Sequence, residues 1–217
     1  MTDPTGPSAA PAAPSGPSDA AQVAATLEAW LAREREIRLF ARPPAPIGLD
    51  ELARQGGLDF LSRIARGELP GVPIGQTLDF VPVEWESGRI VFQGSPRFEF
   101  YNPIGSVHGG YLATLLDSAM GCAVHSTLAQ GIGYTTLELK LNYVRPLTDK
   151  TGPIRAEGKV ISVSRRIGTA EGRAYDAAGR LYAHGTTTCL IFPLDPRSGS
   201  RPSDDGADRA ASAPTRG

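Results

Sequence analysis

Asp117 lies in an otherwise apolar run, Val107-His108-Gly109-Gly110-Tyr111-Leu112-Ala113-Thr114-Leu115-Leu116-Asp117, where a carboxylate buried without a purpose is costly. The glycine pair lets a backbone approach a ligand closely. The start of a helix offers unpaired N–H donors where negative charge is favoured. Amide donors and a carboxylate together suggest acyl-group chemistry. Helical geometry separates the two, because the eight residues from Gly109 to Asp117 span about 12 Å of rise. Both cannot touch one reacting carbonyl. If both act, Asp117 must meet the glycine of another copy of the chain, so the site is expected across a two-fold dimer interface. The helical neighbours of Asp117 are Ala113, Thr114 and Gly121, all small, which leaves space around the carboxylate for a substrate or water.

The elements that must position these groups are legible in the spacing of apolar residues. The central helix is expected over 109–129, with Leu112, Leu115, Leu116, Ala119, Met120, Ala123 and Val124 as one apolar stripe and Gly131 as its stop. Before it, 78–85 and 89–93 alternate with period two around Glu86-Ser87-Gly88 and predict a hairpin, in which Pro82 marks an edge position or a bulge. After it, Leu137, Leu139, Leu141 and Tyr143 alternate with Thr136, Glu138, Lys140 and Asn142 and predict a strand, with Thr136 off the leucine face by parity. Residues 153–164, 168–176 and 180–192 predict three more strands, the last two joined at Asp176-Ala177-Ala178-Gly179. The pattern is one central helix wrapped by a largely antiparallel sheet.

Upstream, Asp19 is a candidate N-cap for a helix carrying Val23, Leu27, Trp30 and Leu31, which the Arg-Pro-Pro at 42–44 ends. A second helix is expected near 58–67, with Leu58, Leu61 and Ile64 on one face. Residues 1–18 are almost entirely Pro, Ala, Ser and Gly, and 194–217 are similar with added charges, compositions that predict disorder. The domain reading is therefore a disordered 1–18, an N-terminal helical extension over 19–74, a catalytic domain over 75–193 and a disordered tail over 194–217.

With 217 residues and 41% apolar content the chain can build an ordinary core, and a formal net charge of −1 without a basic run argues against nucleic acid as a partner. Cys122 and Cys189 lack metal-like spacing and are expected as buried free thiols in a reducing compartment. The longest apolar stretch is broken by Asp117, Ser118, Gly121 and His125, so no membrane span is expected, and no secretory signal is evident. A cytoplasmic protein is the expectation. Ser118 is not flanked as GxSxG, no phosphate-binding GK[ST] follows a glycine loop, and His125 and His184 lack the partners a metal site needs. No metal or redox cofactor is required.

Asn102-Pro103-x-Gly105-x-x-His108-Gly109-Gly110, then Asp117, then Thr136-x-Glu138-x5-Val144-x-Pro146 resembles the PaaI-like hotdog-fold acyl-CoA thioesterases over roughly residues 75–193. The resemblance implies an α+β hotdog fold, here with an added N-terminal helical extension, assembled as a homodimer or a dimer of dimers. It also implies hydrolysis of an acyl-CoA, with coenzyme A entering as part of the substrate. In such a site the N–H of Gly109 polarises the thioester carbonyl. Asp117 from the partner acts as general base or nucleophile, Asn102 orients water or substrate, His108 supports the turn, and Thr136 lies near the attacking water. Gly110 borders the substrate, and Arg165 and Arg166 at a strand turn are placed to bind the coenzyme A phosphates.

Each residue also has a plainer reading. Asp117 alone is as readily a satisfied buried carboxylate, Asn102 before Pro103 is a turn residue, and two arginines at a turn are commonly solvated surface. A non-catalytic acyl-CoA or aromatic-ligand binding module would use the same groove. A hydratase is disfavoured because no histidine is paired with a carboxylate in the arrangement that chemistry uses.

Overall fold

Six strands grow from the alternating segments: β1 Phe80–Glu86, β2 Arg89–Gly94, β3 Ile132–Tyr143, β4 Ile154–Val163, β5 Ile167–Asp176 and β6 Leu181–Pro193. They pair antiparallel throughout in the order β1-β2-β4-β5-β6-β3. Four helices precede the sheet, α1 Pro17–Phe40, α2 Leu49–Ala53, α3 Gly57–Ala65 and α4 Pro73–Thr77, and α5 Gly109–His125 lies between β2 and β3. The computed structural model describes residues 17–195. Of the two ends expected to be disordered, 1–16 and 196–217 lie outside the described residues. Pro17 and Ser18 already belong to α1, and Leu194 still donates from its N–H to the Gly131 carbonyl at 2.8 Å. Asp19 consequently sits in the first turn of α1 rather than at its cap.

The sheet curls around α5, whose stripe of Leu112, Leu115, Leu116, Ala119, Met120, Ala123 and Val124 is almost wholly excluded from solvent against Ile90, Phe92, Ile154, Ala156, Ala170 and Ala174. Burying each of the larger side chains contributes about 1.5–3 kcal/mol. Gly158 of β4 permits the approach, since a Cβ there would stand 2.3 Å from the Ala119 carbonyl oxygen. The helix stops at His125, a turn earlier than its apolar pattern suggests. Side-chain hydroxyls compete for its last carbonyls: Ser126 donates to Ala123 at 2.7 Å and Thr127 to Val124 at 2.8 Å. Gly131, at φ +77°, then serves the turn into β3.

The opposite face of β1, β2 and β4 is covered by α1. Odd-numbered strand residues such as Val83, Val91, Gln93 and Arg155 point there and are buried, which makes this half of the molecule three layers deep. The polar groups trapped in that layer are satisfied. Gln93 donates to the Glu34 carboxylate at 2.7 Å and to the Trp30 carbonyl at 3.2 Å, and its own oxygen accepts from Arg155 at 3.0 Å. Arg155 also donates to Glu84 at 2.5 Å, and its guanidinium lies 4.3 Å from the Trp30 ring. Pro82 sits where its missing N–H does no harm, on an edge strand beside the shift of register between Pro82 and Glu84. The helix expected at 58–67 is α3, and two further one-turn helices, α2 and α4, had no periodic signal because five residues are too few to show one.

Candidate active site

Asp117 and Thr136 meet. The Thr136 hydroxyl donates to Oδ1 of Asp117 at 2.9 Å. Strand parity alone turns Thr136 away from the helix, but a bulge in β3 corrects it: Thr136 pairs with Cys189 and Glu138 with Thr188, leaving Leu137 unopposed. The extra residue resets the alternation. Tyr134, Thr136, Leu139, Leu141 and Tyr143 therefore share the face toward α5, while Leu137 turns out and is 59% exposed. Oδ2 of Asp117 makes no hydrogen bond to any described residue, and it is not among the sealed polar atoms without a partner, of which Tyr111 Oη is the one example among the described residues. One carboxylate oxygen is thus fixed and the other is open.

At the N-terminus of α5 the glycine turn is held by its neighbours. The His108 Nδ1 accepts from the Gly110 N–H at 2.8 Å and caps the helix, which leaves Nε2 as the ring nitrogen that carries a proton in this arrangement. The Tyr143 hydroxyl donates to the Gly109 carbonyl at 3.0 Å. A Cβ on Gly109 would meet that tyrosine ring at 3.1 Å. The Gly109 N–H, by contrast, has no acceptor among the described residues. His108 thereby shapes the turn, as its place before the glycines suggests.

Asn102 is occupied within its own loop. Its Oδ1 accepts from the N–H groups of Ile104 at 3.1 Å and Ser106 at 3.3 Å, and its amide donates to the Ser106 hydroxyl at 3.1 Å. The structure uses it to close the turn that leads to His108. Arg165 and Arg166 are exposed on the β4–β5 turn and border a cavity of about 350 Å³ with Ile132 and Leu190 to Pro193. The site residues therefore fall into three places: Asp117 with Thr136, His108 with Gly109 and Gly110 beside the Asn102 loop, and the arginine pair on its turn. Gly109 and Asp117 lie eight residues apart on one continuous helix, about 12 Å along its axis.

One neighbour, Tyr134, escaped the sequence reading. Tyr134 packs against Gly121, where a Cβ would stand 2.9 Å from its ring, and its hydroxyl lies 4.0 Å from the Cys122 sulfur. Burial pushes the Cys122 thiol up to about 12, with the Asp117 charge adding to the effect, and burial raises Tyr134 well above the usual phenol range. Burial also lowers His125 to about 4. These groups are neutral around pH 7. Gly121, one turn past Asp117, was the signal: a glycine inside a helix marks a close approach. Both cysteines are free. Among the described residues no group of three or more His, Cys, Asp or Glu side chains is placed to hold a metal, and no helix is long and apolar enough to cross a membrane.

A sheet curled around one long helix, with a carboxylate midway along it, is the architecture of a known class. The sequence model of the thioesterase superfamily matches residues 104–183. A protein of Saccharolobus solfataricus, provisionally named an esterase, is 32% identical over 115 residues, covering 53% of this chain and 80% of that protein. Among solved structures, a protein from Ralstonia eutropha JMP134, provisionally named a thioesterase and related to phenylacetic acid degradation, is 30% identical. Its TM-score is 0.56, and the match covers 60% of this chain and 98% of that one. A conserved protein from Pseudomonas aeruginosa is 28% identical with a TM-score of 0.52, over 55% of this chain and 94% of that one. The chain has the hotdog fold and belongs to the thioesterase superfamily. Membership places it among hydrolases that act on thioesters.

Proposed function

We propose that the protein hydrolyses acyl-CoA thioesters to the free acid and coenzyme A, at a site completed by a second copy of the chain. The observation that carries this reading is Asp117, with Oδ1 held by Thr136 and Oδ2 open. In this reading a water on Oδ2 loses a proton to the carboxylate as its oxygen attacks the thioester carbon. The carbonyl oxygen gains the negative charge and is met by the partner copy's free N–H at the Gly109 position, a donor that can contribute about 3 kcal/mol. The C–S bond then breaks, the sulfur leaves with the electron pair, and the proton held by Asp117 restores the thiol.

Two features favour a second copy. The distance along α5 keeps Gly109 and Asp117 of one chain apart, and β3 ends the sheet with a twelve-residue edge whose outer backbone groups have no strand beside them among the described residues. Such an edge pairs readily with another chain, and exposed Leu137, Tyr143 and Val144 lie along it. Exposed Arg165 and Arg166 supply donors suited to the phosphates of coenzyme A. Replacing Asp117 with Asn tests the reading. Thiol release from an acyl-CoA is expected to fall by about 10²–10⁴-fold with substrate binding retained; undiminished turnover would remove Asp117 from the mechanism.

A further inference from the structure

The helices α2 to α4 take no part in holding Asp117, yet they enclose a space at the C-terminal end of α5, lined there by Cys122 and His125. The curled sheet leaves one face of α5 uncovered between its two edge strands. α3 packs on β1 and on α5, and α2 packs on β3, so the short helices bridge the edges across the C-terminal half of α5. Beneath them lies a cavity of about 500 Å³, within the range of about 300–1,000 Å³ in which small-molecule sites fall. Phe60 and Ile64 of α3 form its roof, Phe80 and Phe92 one side, and Cys122 and Tyr134 the side toward Asp117.

The charged groups at its margin are engaged elsewhere. Arg38 is paired with Glu34 at 2.7 Å and Asp79 at 2.9 Å, and Arg42 donates to the Glu68 carbonyl at 3.2 Å. His125, also on the lining, is held neutral by burial. The interior offers apolar contact and no counter-ion. Its lining reaches Cys122 and His125 on α5 and Tyr134 on β3, the stretches that follow Asp117 and precede Thr136. Gly109, Gly110, Ala113, Thr114, Asp117, Ser118 and Cys122 are the half-buried residues of α5; His125 stands about two turns beyond Asp117 on the same line, and Cys122 is about 7 Å of helical rise beyond Asp117. On β3 the same line runs from Thr136 to Tyr134. The Tyr134 ring lies against Gly121, and the rise from Asp117 to Cys122 sets the length an acyl chain must span to reach the cavity.

We infer that the space roofed by α2 to α4 receives the acyl chain of the substrate, which makes the substrate class thioesters of extended aliphatic acids of at least medium length. This rests on the thioesterase reading, with the thioester carbonyl at Asp117 and the chain directed past Cys122 beneath α3. Each methylene buried there contributes about 0.8 kcal/mol, or about fourfold in kcat/KM.

The experiment uses the full-length protein and an acyl-CoA series from acetyl to lauroyl with thiol detection. Ile64→Trp, which fills the roof, and Ile64→Ala, which enlarges it, are compared with the parent alongside displacement of a fluorescent fatty acid. The expected result is a rise of about fourfold per methylene in the parent. Ile64→Trp should lose that rise while keeping acetyl-CoA turnover, and Ile64→Ala should shift the preferred length upward. Turnover that does not depend on chain length, or equal losses on short and long esters in a folded Ile64→Trp, would overturn the inference. No thiol release from any ester, with fatty-acid binding abolished by Ile64→Trp, would remove the hydrolysis and leave the chamber standing. Turnover of esters without fatty-acid binding in the parent would do the reverse.

Discussion

His125 should make the protein lose stability in mild acid. The residue closes α5 with 5% of its surface exposed, its ring 5.7 Å from that of Phe60 and 5.2 Å from that of Tyr134. No described group hydrogen-bonds its side chain. A cation at a helix C-terminus gains at most about 2 kcal/mol from the helix dipole, and that gain is outweighed here, because burial lowers the imidazole from 6.5 to about 4. Below its unfolded value the unfolded chain binds a proton that the native chain refuses, so stability is complete above about pH 6.5 and is lost as the pH falls toward 4. The shift of roughly 2.5 units corresponds to about 3 kcal/mol, a large share of a typical domain's stability. Urea unfolding of the parent and of His125→Phe across this range measures it. The parent should weaken by that amount relative to the variant, and an imidazole NMR titration should show a midpoint near 4. Parallel pH profiles for the two proteins would refute the assignment of a buried, unprotonated ring.

Trp30→Ala should lower the unfolding free energy by about 3–5 kcal/mol, because the ring is 8% exposed and lies under the Arg155 guanidinium; thermal and urea denaturation report it, and a loss under 1 kcal/mol would show that α1 is not part of the cooperative unit. Leu137→Lys places a charge at the bulge on the exposed edge of β3 and should leave the fold of each copy within about 0.5 kcal/mol. If that edge joins two copies, light scattering should show dissociation and thiol release should fall with it; an intact dimer would move the interface elsewhere.

The stripe of α5 and the hairpin around Ser87-Gly88 could be read from periodicity because burial on one face imposes period 3.6 or 2 on the sequence itself. The position of Asp117 could be read for the same reason, since a carboxylate among buried leucines breaks the pattern. Thr136 was misplaced by one face because nothing in Thr-Leu-Glu marks a bulge. The extra residue is demanded by the partner strand β6 and by the Asp117 carboxylate, neither of which is local. The role of Asn102 was also non-local in part: turn chemistry is written in Asn-Pro, but its engagement by Ile104 and Ser106 appears only once the loop is closed. The cavity beneath α3 had the weakest trace, since Leu58, Leu61 and Ile64 announce an amphipathic helix without naming the surface it covers.

That cavity follows from how α5 is divided. Over the whole length of the helix one side faces the sheet, and the sheet supplies enough apolar contact to hold it. The other side is free for function, and it is small or polar at Gly110, Ala113, Thr114, Asp117 and Ser118. Beyond Gly121 the same side turns apolar, with Cys122 and His125 leading to Leu128, and an exposed apolar face of that kind must be covered or joined to a ligand. The N-terminal helices cover it without filling it: Gly57 lets α3 sit directly on the His125 carbonyl, where a Cβ would come within 1.8 Å, and the Gly57 N–H donates to the Leu128 carbonyl at 3.0 Å. The roof is pinned by these backbone contacts at the end of α5 together with buried Leu61 and Ala65, which anchors the helix while the cavity beneath it stays open. Gly57→Ala should therefore lift α3 and affect stability and long-chain turnover together, whereas Ile64→Trp should affect long-chain turnover alone; if Gly57→Ala is thermally silent, the roof is not held at this point.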